Sequence, residues 1–308
     1  MIETKKLCKN FGDLVAVDNL DLHIDAGDIF GFIGPNGAGK TTTMRILVTL
    51  LEPTRGEAFI DGLNVARQGK DVRRRVGYMP DFMGVYDDLK VFEYLEFFAA
   101  AFGIEYRKRE AIVDGVLELT DLVSKRNAPV DSLSRGMQQR LGLARVLIHD
   151  PKVLILDEPA SGLDPRARIE IRELLRELKR MGKTIMISSH ILSELEEICD
   201  RIGIIERGQF VFSGTLEEIR PRLGIQSKMR VKVLGGDSRA IELLSALPQI
   251  LQVETVGDYI SVTFREGQST DGLIARTLVN GGVDLVYLQP EQLKLDEAFL
   301  KLTKGIVH

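Results

Sequence analysis

The stretch Gly34-Pro35-Asn36-Gly37-Ala38-Gly39-Lys40-Thr41-Thr42 constrains this chain more than any other. It reads as a glycine, four variable residues and then Gly-Lys-Thr, and small residues at those places let consecutive backbone N–H groups turn inward around a phosphate chain. The helix that follows aims the positive end of its dipole at the same charge. Lys40 supplies a mobile cation and Thr41 a hydroxyl for a magnesium ion. Asp28 to Ile33 reads as a short buried strand and Lys40 to Leu51 as the helix after the loop. Strand, loop and helix therefore fall in the order that phosphate binding requires.

At 308 residues the chain has room for one large or two ordinary domains, and 44% apolar with 28% charged residues is an ordinary globular balance. The net charge of −4 offers no broad basic surface and argues against a general nucleic-acid binder. The local runs Arg73-Arg74-Arg75 and Arg107-Lys108-Arg109 sit among acidic neighbours and read as solvated helix faces. Cys8 and Cys199 are too few for a disulfide framework, which suits a reducing cytoplasm. The sequence enters the strand Ile2 to Cys8 directly, so no cleaved leader is expected. The most apolar helical stretch, Val91 to Phe102, carries Glu93 and Glu96 and is too short to span a bilayer. Any membrane role is expected to come through a partner.

Ile2 to Cys8, Leu14 to Ile24 and Asp28 to Ile33 read as strands, joined first by the loop Asn10 to Asp13. Phe11 in that loop either stacks on a purine or acts as a plain hydrophobic plug. Glu57 to Ile60 and Val76 to Met79 are further short strands, and Pro80 ends the second. Apolar residues at helical spacing from Val91 to Ser124 mark a helical insertion, and another helix opens at Leu133 and runs to about His149 before Asp150-Pro151 stops it.

Val153-Leu154-Ile155-Leu156 is then closed by Asp157 and Glu158. A run this apolar fits a central parallel strand buried on both faces, with the two carboxylates at its C-terminal edge, where ligands of open α/β sheets bind. Asp157 can hold magnesium through water, and Glu158 can polarise a water for attack on the terminal phosphate. Arg166 to Met181 is an amphipathic helix. Lys183 to Ser188 is a strand leading to Ser189 and His190, so His190 can reach the edge that carries Glu158.

These residues together resemble the nucleotide-binding subunit of an ATP-binding cassette transporter over roughly residues 1 to 220, and Leu133-Ser134-Arg135-Gly136-Met137-Gln138 resembles that family's signature. The resemblance implies an α/β P-loop NTPase cassette: a mixed sheet core, an antiparallel β subdomain and a helical subdomain over about 82–150. It implies that Phe11 stacks on adenine, that Gly34 to Thr42 is the Walker A loop, and that Asp157 and Glu158 are the Walker B aspartate and catalytic glutamate. By the same resemblance Ala160 to Asp164 is the D-loop, which signals across a dimer, and His190 contacts the terminal phosphate. Ser134, Arg135, Gly136 and Met137 would close over ATP held by the opposite subunit, so the working form implied is a dimer, of identical chains as the first expectation. ATP and Mg2+ are the expected ligands. The expected partner is a separate integral-membrane permease, with the subunit cytoplasmic and peripheral at the inner face of the cell membrane.

Three positions depart from the family pattern. Asp81 stands where the family has a glutamine that touches magnesium and the attacking water, so Asp81 is assigned to both the catalytic and the metal-binding set. Arg135 and Met137 replace glycine and glutamine in the signature, and Arg135 either reaches phosphate or ribose across the interface or stays solvated. Residues 226–308 read in the order β-α-β-β-α-β, which predicts a small ferredoxin-like α+β domain with an accessory or regulatory role. The segment Leu295 to Leu302 resembles the closing segment of exporter ATPases for drugs, sodium or polysaccharides. The competing reading, a soluble cassette ATPase acting on nucleic acid or ribosomes, calls for tandem cassettes or a long coiled coil, and this sequence has neither.

Overall fold

The computed structural model describes residues 1–81, 84, 88–191, 195–215, 217–219, 228–265 and 272–290. The chain divides into two compact units, Met1–Leu216 and Glu217–His308.

The first unit is built on two sheets. Strands β1 (Ile2–Phe11), β2 (Leu14–Ile24), β4 (Arg55–Ile60) and β5 (Leu63–Asn64) form an antiparallel sheet in the order β2-β1-β4-β5. The other sheet has six strands, in the order β10-β9-β3-β8-β7-β6. Its members are β3 (Ile29–Ile33), β6 (Val76–Met79), β7 (Val153–Leu156), β8 (Thr184–Ser189), β9 (Arg201–Glu206) and β10 (Gln209–Gly214). All neighbours in it are parallel except β9 and β10, which form a hairpin. Every residue of β3, β7 and β8 is buried, the pattern that a sheet covered on both faces demands.

Helix α1 (Lys40–Leu47) packs between the sheets, and its Met44, Ile46 and Leu47 join Ile2, Leu22, Ile60, Val153 and Ile155 in one core. Each such side chain contributes about 1.5–3 kcal/mol when fully buried. This core fixes where the phosphate loop leaves β3 and enters α1.

Local chemistry sets the helix ends more tightly than the apolar period indicates. The stretch from Val91 breaks into α3 (Val91–Ala101) and α4 (Tyr106–Leu119), separated at Gly103, whose φ is 75°. The helix after Leu133 is α5 (Arg135–Leu147), because Ser134 stays extended and its hydroxyl accepts from the Met137 N–H as an N-cap. Likewise α1 stops at Leu47 rather than Leu51, followed by Thr49 at φ 66°. Asp164 caps α6 (Pro165–Arg180) by accepting from the Arg166 and Ala167 N–H groups, with Pro165 already set for the first helical position. The short helix α2 (Gly69–Arg75) has no apolar period and was not legible in the sequence.

In the second unit, β11 (Lys228–Val233), α7 (Asp237–Ser245), β12 (Ile250–Val256), β13 (Tyr259–Phe264), α8 (Leu273–Asn280) and β14 (Leu285–Pro290) follow one another. The sheet order is β12-β13-β11-β14 and every pairing is antiparallel. Val231, Ile260, Val262 and Phe264 meet Ala240, Leu244, Ile274 and Leu278 in a separate core. The segment Leu295 to Leu302 lies outside the described residues, as do Phe82, Met83, Val85 and Tyr86.

Beyond the end of α5, the His149 ring stacks on Phe102 with centroids 3.8 Å apart, and its Nε2 lies 3.1 Å from the Val76 carbonyl. Nδ1 is buried without a partner, and burial lowers the imidazole below its usual pKa. A group whose folded pKa is depressed in this way opposes protonation in the native state only. Stability is therefore expected to fall as pH drops below about 6.5, where the unfolded chain begins to bind the proton. In urea unfolding at pH 7 and pH 5, His149→Gln is expected to lose less stability on acidification than the unaltered chain; equal losses would remove His149 as the cause.

Candidate functional site

Two glycines make the phosphate loop possible. A Cβ on Gly34 would lie 2.4 Å from the Ile205 carbonyl oxygen, and one on Gly39, at φ 109°, would lie 2.4 Å from the Ala16 carbonyl oxygen. Backbone from β9 and β2 thus presses directly on the loop, which only glycine permits. Residues 36–42 wrap a cavity of about 170 Å3, completed by Asp81, Asp157 and Glu158.

The side chains around it form one connected set. The Thr41 hydroxyl donates to Asp157 Oδ2 at 2.7 Å, and the Ser188 hydroxyl donates to Asp157 Oδ1 at 2.6 Å. The Glu158 backbone N–H donates to Ser188 Oγ at 2.9 Å. Lys40 Nζ donates to the carbonyls of Gly34 (2.6 Å) and Pro35 (3.2 Å) and stands 3.7 Å from Glu158 Oε1. Burial pulls the Lys40 ammonium below its usual pKa, and the Glu158 and Asp157 carboxylates oppose that shift. His190 Nδ1 lies 2.8 Å from Glu158 Oε2. Glu158 itself sits at φ 50°, a left-handed conformation that costs a residue of this type about 1–3 kcal/mol.

The parallel register explains the convergence. β7 and β8 run side by side, with Leu156 opposite Ile187, so Asp157, Glu158, Ser188 and His190 all emerge at the same strand ends. The loop from β3 to α1 lies at that edge because β3 is the next strand over.

Of the residues that the sequence singles out, Asn36 to Thr42, Asp81, Asp157 and Glu158 line the cavity. Gly34 and Pro35 adjoin it through Lys40, and His190 adjoins it through Glu158. Phe11 is half-exposed, with the Lys9 ammonium 5.1 Å from its ring centroid. Ser134, Arg135, Gly136 and Met137 are not among the lining residues of the same chain. The Arg135 guanidinium lies against Gly162, in the loop after Glu158, and Gly136 faces Ala167 at the start of α6. Ser188 was missed in the sequence, although a polar pair closing an apolar strand is the same pattern that exposed Asp157 and Glu158.

A glycine-lined phosphate cradle with a buried cation and two carboxylates at parallel strand ends defines a P-loop nucleoside triphosphatase. The family model for ABC transporters matches residues 17–161. Over 308 residues the chain is 37% identical to Nod factor export ATP-binding protein I of Burkholderia lata, covering 98% of this chain and 96% of that protein. Over 307 residues it is 38% identical to bacitracin transport ATP-binding protein BcrA of Bacillus licheniformis, covering 99% and 98%. A solved dimeric ATP-binding cassette in a post-hydrolysis state, bound to ADP and Pi, matches 70% of this chain and 99% of its own with a TM-score of 0.64 at 26% identity. The chain belongs to the ABC transporter family, as an ATP-binding subunit that hydrolyses ATP.

Ser188→Ala leaves the Glu158 N–H and Asp157 Oδ1 each short of a partner. It is expected to lower unfolding stability by about 1–3 kcal/mol. Urea denaturation checks this, and an unchanged midpoint would mean that Ser188 does not hold the two carboxylate residues in place.

Proposed function

We propose that this chain supplies the power for export through a separate membrane permease, working as a pair of identical subunits on the cytoplasmic face of the cell membrane. The observation that carries the reading is the joining of Lys40, Thr41, Asp157, Glu158 and His190 into one hydrogen-bonded and ion-paired set at a single cavity. The names of two full-length relatives, one for Nod factor export and one for bacitracin transport, support transport as the purpose of the hydrolysis. The soluble reading, with nucleic acid or ribosomes as target, has no such support. Among the described residues no helix is long and apolar enough to cross a membrane, in keeping with a permease on a different chain.

In this reading ATP lies with its phosphates in the loop, its base against Phe11, and Lys40 turned from the Gly34 and Pro35 carbonyls onto the phosphates. The donor set suits magnesium, which asks for few protein ligands and prefers carboxylate and hydroxyl oxygen. Thr41 and Asp157, already 2.7 Å apart, would hold it together with Asp81. Bound there, it would neutralise phosphate charge. Glu158 takes the proton of the attacking water, and His190, held on the Glu158 carboxylate, fixes the direction in which that carboxylate points.

Ser134, Arg135, Gly136 and Met137 complete the site of the second subunit. The domain assignment follows the same reading: a cassette over 1–220, with the helical subdomain at about 82–150, and an accessory domain over 226–308. The sheet order β12-β13-β11-β14 with two helices supports a ferredoxin-like arrangement for the accessory domain.

Glu158→Gln keeps the shape but removes the base. The variant is expected to bind ATP, to persist as an ATP-bound dimer in magnesium, and to lose about 10²–10⁴-fold in turnover. Size-exclusion chromatography with a phosphate-release assay reads both, and a monomeric variant with undiminished turnover would refute the role. Asp81→Asn is expected to raise the magnesium concentration needed for half-maximal turnover, whereas an unmoved titration would assign Asp81 to structure alone.

A further inference from the structure

Phe11 sits at the tip of the β1–β2 hairpin, where it pairs with Leu14, and its side chain is 48% exposed. A half-exposed phenylalanine on a hairpin tip has no core to hold its ring in one rotamer, and a ring that wanders makes a poor platform for a flat ligand. One face of this ring is engaged all the same. The Lys9 ammonium stands over it at 5.1 Å from the centroid, within the range of a cation–π contact. Among the described residues it is the only ring or cation partner that Phe11 has.

Lys9 is itself pinned. Its Nζ donates to the Glu52 carbonyl at 2.8 Å, and it makes no ion pair among the described residues. Glu52 lies in the turn that leads from α1 to β4, so the ammonium ties the ring to the segment that follows the phosphate-loop helix. Two further bonds hold that turn to β1: the Asn10 N–H donates to Thr54 Oγ1 at 3.0 Å, and the Thr54 N–H donates to the Cys8 carbonyl at 2.8 Å. On β2, Ala16 follows two residues after the Leu14 partner of Phe11, and its carbonyl oxygen is the one that presses on Gly39. Two residues of strand span about 7 Å, so the ring stands one short step from the phosphate loop. The cation also draws the ring's π density toward itself, which leaves the uncovered face less repulsive to an electron-rich purine.

We propose that Lys9 is a positioning residue for the nucleotide base: from one face it fixes the Phe11 ring, and the other face is left to stack on adenine. This inference rests on the reading of Phe11 as the base platform, and it assigns to base recognition a second residue that lies outside the phosphate-binding stretches. A lysine acting only by long-range attraction would favour a polyphosphate equally with or without a base. A lysine that braces the ring acts only when a base is there.

The test is isothermal titration calorimetry on the full chain in magnesium, with the non-hydrolysable analogue AMP-PNP as the ligand that carries a base and inorganic tripolyphosphate as the ligand without one. Lys9→Met keeps the length of the side chain and removes its charge. It is expected to weaken AMP-PNP binding about threefold and to leave tripolyphosphate binding unmoved. Lys9→Arg, which keeps a cation over the ring, is expected to bind AMP-PNP as the unaltered chain does. In a Phe11→Leu background, Lys9→Met is expected to cause no further loss. Equal weakening of both ligands would overturn the proposal in favour of plain charge attraction. An AMP-PNP affinity that Phe11→Leu lowers and Lys9→Met leaves unchanged would make this inference fail alone. If Phe11→Leu itself leaves AMP-PNP binding untouched, the base-platform reading fails and this inference falls with it.

Discussion

The Asp157 carboxylate, 2% exposed, is the interaction on which the rest of the site depends. An ionised group so deeply buried is tolerated only when its oxygens are hydrogen-bonded, and here the partners come from two different elements. Thr41 belongs to α1 and Ser188 to β8, while Asp157 itself ends β7. One side chain therefore ties the helix after the phosphate loop to two central strands. The loop, the strand edge and the carboxylates are joined in one hydrogen-bonded set, which is what a phosphate-handling site needs if its charges are to be in place before the substrate arrives.

Around that anchor the charges are unevenly matched. Lys40 is the cation that lines the cavity, against Asp81, Asp157 and Glu158. In this state the ammonium is spent on the carbonyls of its own loop and on Glu158, at 6% exposure. Phosphate binding then amounts to an exchange of partners for a group that is already desolvated, so little further desolvation opposes it.

How much of this was legible in the sequence depended on whether a feature is local. Gly34 to Thr42 and the pair Asp157-Glu158 carry their chemistry within consecutive residues, and Asn36 to Thr42 line the cavity together with that pair. The β-α-β-β-α-β order of the second unit was legible for the same reason: Gly257-Asp258 turns a hairpin and Gly282 follows α8 in the left-handed region. Ser188 was not legible, since its meaning comes from the register between β7 and β8, and no sequence period encodes which residues of parallel strands stand side by side. Helix ends were misjudged by a few residues wherever a cap outweighed the apolar spacing, as Ser134 does at the start of α5. For Arg135 the sequence leaves two readings, a reach across a subunit interface or a solvated side chain, and within the single chain its guanidinium rests on Gly162.

That last contact joins two stretches that are separate as motifs. A Cβ on Gly162 would lie 2.4 Å from the guanidinium carbon of Arg135, so the arginine occupies the space that any side chain at 162 would need. The two positions are in effect one choice made twice. A related chain that carries alanine at 162 has to swing the arginine aside and to accept the left-handed φ of 67° there. Change at the start of α5 is thereby entrained to change in the loop that follows Glu158, and the two are expected to drift together as such chains diverge.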